Sequence, residues 1–310
     1  MIVLSTHTIT VRRHAIGGRQ GAERWRTRVV RVIEATKIST AAGTFDALAC
    51  GDVRGREVML LHGFPEAAIE WEFQLHTLGG GGCYVVAPDQ RGYSAGVRPQ
   101  RPAEYRLDEL VGDVLAIADE LGWQRFDLVG HDWGGYVGWA VAARYPERLR
   151  TFTAVSQPHP AALQQALKDD EDQALRSQYV ARLREPRTAE RALLADGAIG
   201  LRRLFEWKVP EERVEHYVDR LGQPEALTAA LNWYRAAHLS GRVGEVTVPT
   251  LYVWSTEDSV IGSTAALATR QYVTGPYRFE MLEDVSHWIP EQAPEDLTRL
   301  IMRHLLAHRS

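Results

Sequence analysis

Asp132 stands in the string Gly130-His131-Asp132-Trp133-Gly134, directly after the apolar run 126–129. This is the G-x-nucleophile-x-G pattern of a strand that turns sharply into a helix and exposes its central side chain. The central residue is an aspartate where an esterase carries serine. A carboxylate with an ordinary pKa of about 3.9 is ionised at neutral pH and needs no base to activate it. Attack on an acyl carbon would give only a labile mixed anhydride. A carboxylate is productive against a saturated carbon that bears a leaving group, where it leaves an alkyl ester on itself. Epoxides and alkyl halides are electrophiles of that kind. The flanking glycines have a steric reason, because neighbouring backbone passes close to such a nucleophile and a Cβ would collide there. Gly135 and Gly138 extend a small face on which the helix can pack. A chance glycine cluster in a strand–helix loop is the bland alternative. Phosphate-binding readings drop out, since G-x-G-x-x-G spacing is absent and no Lys-Ser/Thr follows Gly135.

The partners that such a nucleophile needs follow it in the chain. Residues 251–254 read as a strand, and Ser255-Thr256-Glu257-Asp258 comes after it. Residues 277–282 read as another strand, and Ser286-His287-Trp288 comes after that. Both sites lie just past the carboxyl ends of strands, where open α/β sheets place their chemistry. His287 is the expected base for water, and Asp258 is expected to orient the imidazole and stabilise its charged form. Glu257 competes with Asp258 for that role, and an ordinary surface histidine is the alternative reading of His287. Upstream, the apolar run 58–61 ends in His62-Gly63-Phe64-Pro65-Glu66. The backbone N–H groups of Phe64 and Trp133 are assigned as oxyanion-hole donors. Phe64–Pro65 is a candidate cis peptide, since cis-proline belongs to tight turns.

These side chains need a frame. Strands are predicted near 37–40, 45–50, 57–61, 83–87, 126–130, 151–155, 250–255 and 277–282, and helices over 107–121, 134–145 and 293–307. The first helix puts Leu107, Leu110, Val111, Val114, Leu115, Ala118 and Leu121 on one face, with Asp108 near its positive end. Such alternation predicts an α/β fold with a mainly parallel sheet covered by helices on both faces. The glycine run 79–82 is expected to end a helix and turn into a strand. From 156 to 244 the strand signal stops and helix formers (Leu, Ala, Arg, Glu, Gln) dominate. Val248-Pro249 marks the return to the sheet.

A chain of 310 residues suits one α/β domain with an inserted subdomain. The net charge of −4 argues against general nucleic-acid binding. Residues 1–35 form a leader with a basic stretch, seven arginines against one glutamate between Arg12 and Arg31. Arg12-Arg13 is not followed by an apolar region, so a twin-arginine or Sec signal is not expected. Two cysteines imply no disulfide framework and fit a reducing cytoplasm. No apolar run of about eighteen residues is present, so no membrane span is expected. Without an HExxH string or paired histidine spacing, neither a metal nor a cofactor is expected.

The strings HGFPE at 62–66, DQRGYS at 89–94, GHDWGG at 130–135, STEDS at 255–259 and VSHWIPE at 285–291 resemble the epoxide hydrolase branch of the α/β-hydrolase superfamily. The resemblance covers roughly residues 36–308. It implies an α/β-hydrolase core over 36–155 and 245–310, with a helical cap over 156–244. It also implies two cap tyrosines that hydrogen-bond an epoxide oxygen. Tyr234, in Leu231-Asn232-Trp233-Tyr234-Arg235, and Tyr179, six positions before Glu185-Pro186, match those segments. A phenol with an ordinary pKa near 10 can stabilise the developing alkoxide and stay protonated at neutral pH. His62, Phe64, Trp71, Trp133, Phe205, Trp207 and Trp233 are candidate pocket liners. The implied partners are a small-molecule epoxide and water, with no nucleic acid and no membrane, and a homodimer is left open. Two other functions remain. A haloalkane or haloacid dehalogenase shares the first step, although Phe64 stands where a halide-binding Asn commonly sits. A non-catalytic ligand-binding protein on the same scaffold is the third.

Overall fold

Alternate residues of the central strands lead into opposite cores. Met59 and Leu61 pack on one face of the sheet, and Val58 and Leu60 on the other. The computed structural model describes residues 32–237 and 242–309. The expected basic stretch lies in residues 1–31, outside the described residues.

The strands are β1 (Glu34–Thr40), β2 (Gly43–Gly51), β3 (Arg56–Leu61), β4 (Cys83–Pro88), β5 (Phe126–His131), β6 (Leu149–Val155), β7 (Thr250–Glu257) and β8 (Tyr277–Ser286). They form one sheet in the order β1-β2-β4-β3-β5-β6-β7-β8. β1 and β2 run antiparallel to their neighbours, and all pairs from β4 to β8 are parallel. The sheet begins slightly before the expected boundary at 36, because Glu34 and Ala35 pair with Ala49 and Leu48.

Helices cover both faces. α1 (Glu72–Gly80) and, at the C-terminal end of the chain, Pro294–Ala307 share a core with Val58, Leu60, Val129 and Val253. On the other face lie α2 (Leu107–Glu120) and α3 (Trp133–Arg144). Between β6 and β7 come α4 (Pro160–Asp169), α5 (Glu171–Arg176), α6 (Tyr179–Arg184), α7 (Thr188–Arg203), α8 (Glu211–Leu221) and α9 (Pro224–Ala236). α7 is broken at 195–198 by four residues of non-helical geometry. After β7 come α10 (Ser263–Ala268), the short α11 (Ile289–Gln292) and α12 (Pro294–Ala307). The glycine run behaves as expected: α1 ends at Gly80 and β4 starts at Cys83. On α2 the expected face is buried or half-buried, and it also carries Asp113, bound by the Arg91 guanidinium at 2.6 and 2.7 Å. No described helix is long and apolar enough to cross a membrane.

The segment between β6 and β7 is tied to the core by polar contacts as well as apolar ones. On α8, Arg213, Tyr217 and Arg220 recur on one helical face. Arg213 donates to Glu72 at 2.6 Å, Tyr217 donates its hydroxyl to Glu291, and Arg220 pairs with Asp89. On α5, Arg176 donates to the Asp258 carbonyl at 2.6 Å, and Gln173 bridges the Val260 carbonyl and the Gly262 N–H.

The amino-terminal edge of the sheet is held by one buried carboxylate. Asp127 accepts two bonds from Arg56 at 2.6 and 2.8 Å and one from Thr151 at 2.7 Å. Arg56 also donates to the carbonyls of Leu305 and His308, capping the end of α12. Asp127→Ala would leave the half-buried guanidinium without its partner, so it should lower unfolding stability by about 3 kcal/mol in a denaturant titration.

Candidate active site

Asp132 sits between β5 and α3 at φ 48° and ψ −118°, a conformation that costs a non-glycine residue roughly 1–3 kcal/mol. The turn closes because its N–H donates to the Val155 carbonyl at 3.2 Å, while its own carbonyl accepts from Tyr136 N–H at 3.0 Å. Gly134 makes this possible, since a Cβ there would lie 2.1 Å from the Leu61 carbonyl oxygen. Gly63 is equally constrained, because its Cβ would fall 2.6 Å from that of Asp132.

Around the carboxylate, three chain segments converge. Phe64 N–H donates to Oδ1 at 3.0 Å. His287, the first residue after β8, places Nε2 3.6 Å from Oδ2. Its Nδ1–H donates to Asp258 at 2.9 and 3.1 Å. Asp258, the first residue after β7, is itself fixed by the N–H groups of Val260 and Ile261, each at 2.8 Å. Glu257 is exposed and turned away, so the acid facing the imidazole is Asp258. The His287 carbonyl accepts from Ser156 Oγ at 2.8 Å and from His131 Nε2 at 3.0 Å, which sets the ring's position.

Opposite this group stand Tyr179, the first residue of α6, and Tyr234 on α9. Their rings meet edge to face, and Tyr234 also packs on Phe64 and Trp133 at 5.3 and 4.9 Å between centroids. The cavity they enclose measures about 260 Å³, and Asp132, His287, Tyr179, Tyr234 and Phe64 all line it.

The α/β-hydrolase fold family matches this chain over residues 57–294. Epoxide hydrolase 3 of Xenopus tropicalis is 32% identical over 86% of this chain and 77% of its own length. The chain belongs to the epoxide hydrolase branch of the α/β-hydrolase family. The AB hydrolase superfamily protein YfhM of Bacillus subtilis (strain 168) is 33% identical over 86% of this chain and 96% of its own. Among solved structures, epoxide hydrolase A of Mycobacterium thermoresistibile superposes with a TM-score of 0.77 at 26% identity, covering 89% of this chain and 98% of that one. Members so named are hydrolytic enzymes, and the fold is the α/β-hydrolase fold.

Within this family frame, several expected pocket liners lie elsewhere. Trp71 is fully buried under the sheet with Leu60 and Leu75, because it precedes α1 and faces the opposite core. Trp207 is 73% exposed, in a loop where Glu206 and Trp207 both adopt positive φ and turn the indole outward. Trp233 donates its indole N–H to the Arg91 carbonyl at 2.9 Å and supports the ring of Trp133 from behind. Phe205 stacks on Tyr217 and against Trp288, one layer back from the cavity. His62 braces the loop rather than the cavity: its ring bonds the Gly63 carbonyl and accepts from Gln90 N–H. Burial pushes that imidazole down to about 4, so it stays neutral with its proton on Nδ1. Trp133 shapes the site by packing on Tyr234. The remaining liners include Leu183, Arg203, Leu204, Glu206, Ser259, Val260 and Trp288, of which Ser259 and Trp288 could have been read as neighbours of Asp258 and His287.

A second cluster was also not anticipated. Glu66, Glu70 and His131 bring ligand-type atoms within 4.8 Å of one another, despite the absence of a metal-binding spacing in the sequence. His131 Nδ1 lies 2.9 Å from Glu66, so these groups are engaged with each other.

Burial opposes charge at this site, and the partners overcome it. Burial would lower the His287 pKa, yet Asp258 and Asp132 raise it to about 9. Burial would raise the Asp132 pKa, yet His287, His131 and the Phe64 N–H hold it below the ordinary carboxylate range. The resting site is therefore an imidazolium between two carboxylates. Stability from the His287 cation is complete below its ordinary pKa of 6.5 and is lost as pH rises through about 9. Stability from Asp132 is present at neutral pH and is lost as pH falls below the carboxylate range. Asp258→Asn removes the main support of the cation, so its melting temperature should fall less steeply than that of the wild type between pH 6.5 and 9. Thermal unfolding of both proteins across that window measures the difference.

Proposed function

We propose that this enzyme opens epoxides to vicinal diols through a covalent ester on Asp132. The observation that carries this reading is the pairing of a buried, ionised carboxylate with two phenols across one cavity. Oδ1 is held by the Phe64 N–H, and Oδ2, 3.6 Å from His287 Nε2, attacks a ring carbon. The carbon–oxygen bond of the epoxide breaks and its electron pair goes to the oxygen, which takes a proton through Tyr179 and Tyr234. Burial, reinforced by the charge on Asp132, holds both phenols above their ordinary pKa, so they are protonated donors.

Ester formation removes the negative charge of Asp132. That charge was one support of the His287 cation, so the imidazole becomes a stronger acid and gives up its proton, which replaces the one the phenols passed to the alkoxide oxygen. Neutral His287 then takes a proton from water, and the hydroxide adds to the carbonyl carbon of the ester. The Phe64 and Trp133 N–H groups receive the oxyanion. Collapse breaks the ester carbon–oxygen bond, the leaving alkoxide takes the proton of the newly added hydroxyl to complete the diol, and Asp132 returns as a carboxylate with one oxygen from water. α4–α9 act as a cap that shields the ester from bulk solvent.

A dehalogenase would require donors aimed at a halide. The two phenols, and Phe64 in place of an amide side chain, support the epoxide reading instead.

A single turnover in heavy-oxygen water should label the carboxylate of Asp132, read by mass spectrometry of its peptide. An unlabelled carboxylate together with full diol yield refutes the ester route. His287→Gln should still be alkylated stoichiometrically while losing turnover, so the ester should accumulate. Tyr179→Phe and Tyr234→Phe should each slow ester formation by about 10²-fold or more in rapid-quench measurements, and halide release from alkyl halides should stay negligible beside diol formation.

A further inference from the structure

Glu66, Glu70 and His131 form a buried group behind the oxyanion loop, and none of the three lines the cavity. Glu70 lies on the turn Ala68–Trp71, four residues after Glu66, so both carboxyls face the end of β5. His131 commits its Nε2–H to the His287 carbonyl, which leaves Nδ1 facing the acids at 2.9 Å (Glu66) and 3.5 Å (Glu70). A bare lone pair there would repel a carboxylate, so Nδ1 carries a proton and His131 supplies one positive charge. Gly63 N–H points at Glu70 Oε2 from 3.5 Å. Both oxygens of Glu66, Oε1 of Glu70 and His131 Nδ1 have no partner of hydrogen-bond geometry among the described residues, so the 2.9 Å approach of His131 to Glu66 is an ion-pair contact. The other titratable groups that act on this pair are Glu291 on α11, Tyr217 on α8, Tyr93, His62 and His287, and Asp132 acts on His131. Arg213, the nearby guanidinium, is spent on Glu72 and Glu291. One imidazolium balances one carboxylate, and a second adjacent carboxylate in the same dry space cannot also ionise.

We propose that Glu70 is a neutral carboxylic acid at the working pH, its proton held between Glu70 and Glu66, and that it serves as a positioning residue. As an acid it gives Glu66 the hydrogen bond that Glu66 otherwise lacks, and so fixes Glu66 against His131. It also steadies Gly63, the residue before the oxyanion donor Phe64. No bond to substrate is made or broken by Glu70, and its proton stays in place through turnover. Burial and the neighbouring Glu66 favour the protonated form, while His131 keeps Glu66 ionised.

The test uses the full chain at about pH 9, where Glu291, pushed up to about 7, has ionised. Infrared spectroscopy of the wild type should show the carbonyl stretch of a protonated carboxyl, and Glu70→Gln should lack it. This arm needs no substrate, so it decides the state of Glu70 even if the epoxide reading fails. The turnover arm rests on that reading. Glu70→Ala should lower kcat by about tenfold, and Glu70→Gln should recover most of the loss, because the amide offers both an acceptor to Gly63 and a donor to Glu66. The pH profile of Glu70→Gln should coincide with that of the wild type, since one neutral group replaces another. Absence of the acid band in the wild type, its survival in Glu70→Gln, a displaced pH profile in Glu70→Gln, or an Ala variant as fast as the wild type overturns the proposal.

Discussion

Everything in this site depends on keeping a carboxylate ionised where little water reaches it. Asp132 is only 8% exposed, and burial alone would push it towards the neutral acid. Three features prevent that. The Phe64 N–H donates to one oxygen, the His287 cation faces the other, and the start of α3 adds the favourable end of a helix dipole. The Phe64 loop passes so close to the aspartate that Gly63 cannot carry a Cβ, and α3 starts so close to β3 that a Cβ on Gly134 would strike the Leu61 carbonyl.

The protein separates rigidity from chemistry along the sheet. At the amino-terminal edge, Asp127 gathers Arg56, Arg150 and Thr151 and binds the end of α12 to the strands. At the carboxyl-terminal edge, β5, β7 and β8 are followed directly by Asp132, Asp258 and His287. Parallel strands deliver these residues to one side of the molecule because they all point the same way. The helices between β6 and β7 close the site from above. α8 is pinned through Arg213, Tyr217 and Arg220, and α5 supports the Asp258 loop through Gln173 and Arg176.

Much of this was legible in the chain. The apolar runs that predicted strands at 57–61, 126–130 and 250–255 are the central strands, because a strand buried on both faces has to be apolar throughout. Asp258 could be found because it comes just after such a run, and His287 because it comes soon after the alternating strand that starts at Tyr277. The aromatic residues expected at the cavity were harder. Trp71, Trp207 and Trp233 are all tryptophans, yet one lies under the sheet, one faces solvent and one backs another indole. Residue type reports that a side chain favours burial, and says nothing about which of several apolar spaces will take it. Asp113 and Glu70 were hidden for a related reason: each is a charged residue in a helical segment, which normally faces water.

The sequence by itself determined that an aspartate stands at the sharp turn after β5, the chain order in which Asp258 and His287 follow it, and the alternation that makes a parallel sheet. Those properties are local, set by side-chain chemistry and by the period of the apolar pattern. The tertiary structure decided that Tyr179 and Tyr234 share one cavity with the carboxylate, that Asp258 rather than Glu257 faces the imidazole, and that Glu66, Glu70 and His131 share one buried space. Those are contacts between residues far apart in the chain or on different faces of a turn. They depend on how helices seat on a twisted sheet, where small rotations move a side chain from one space to another.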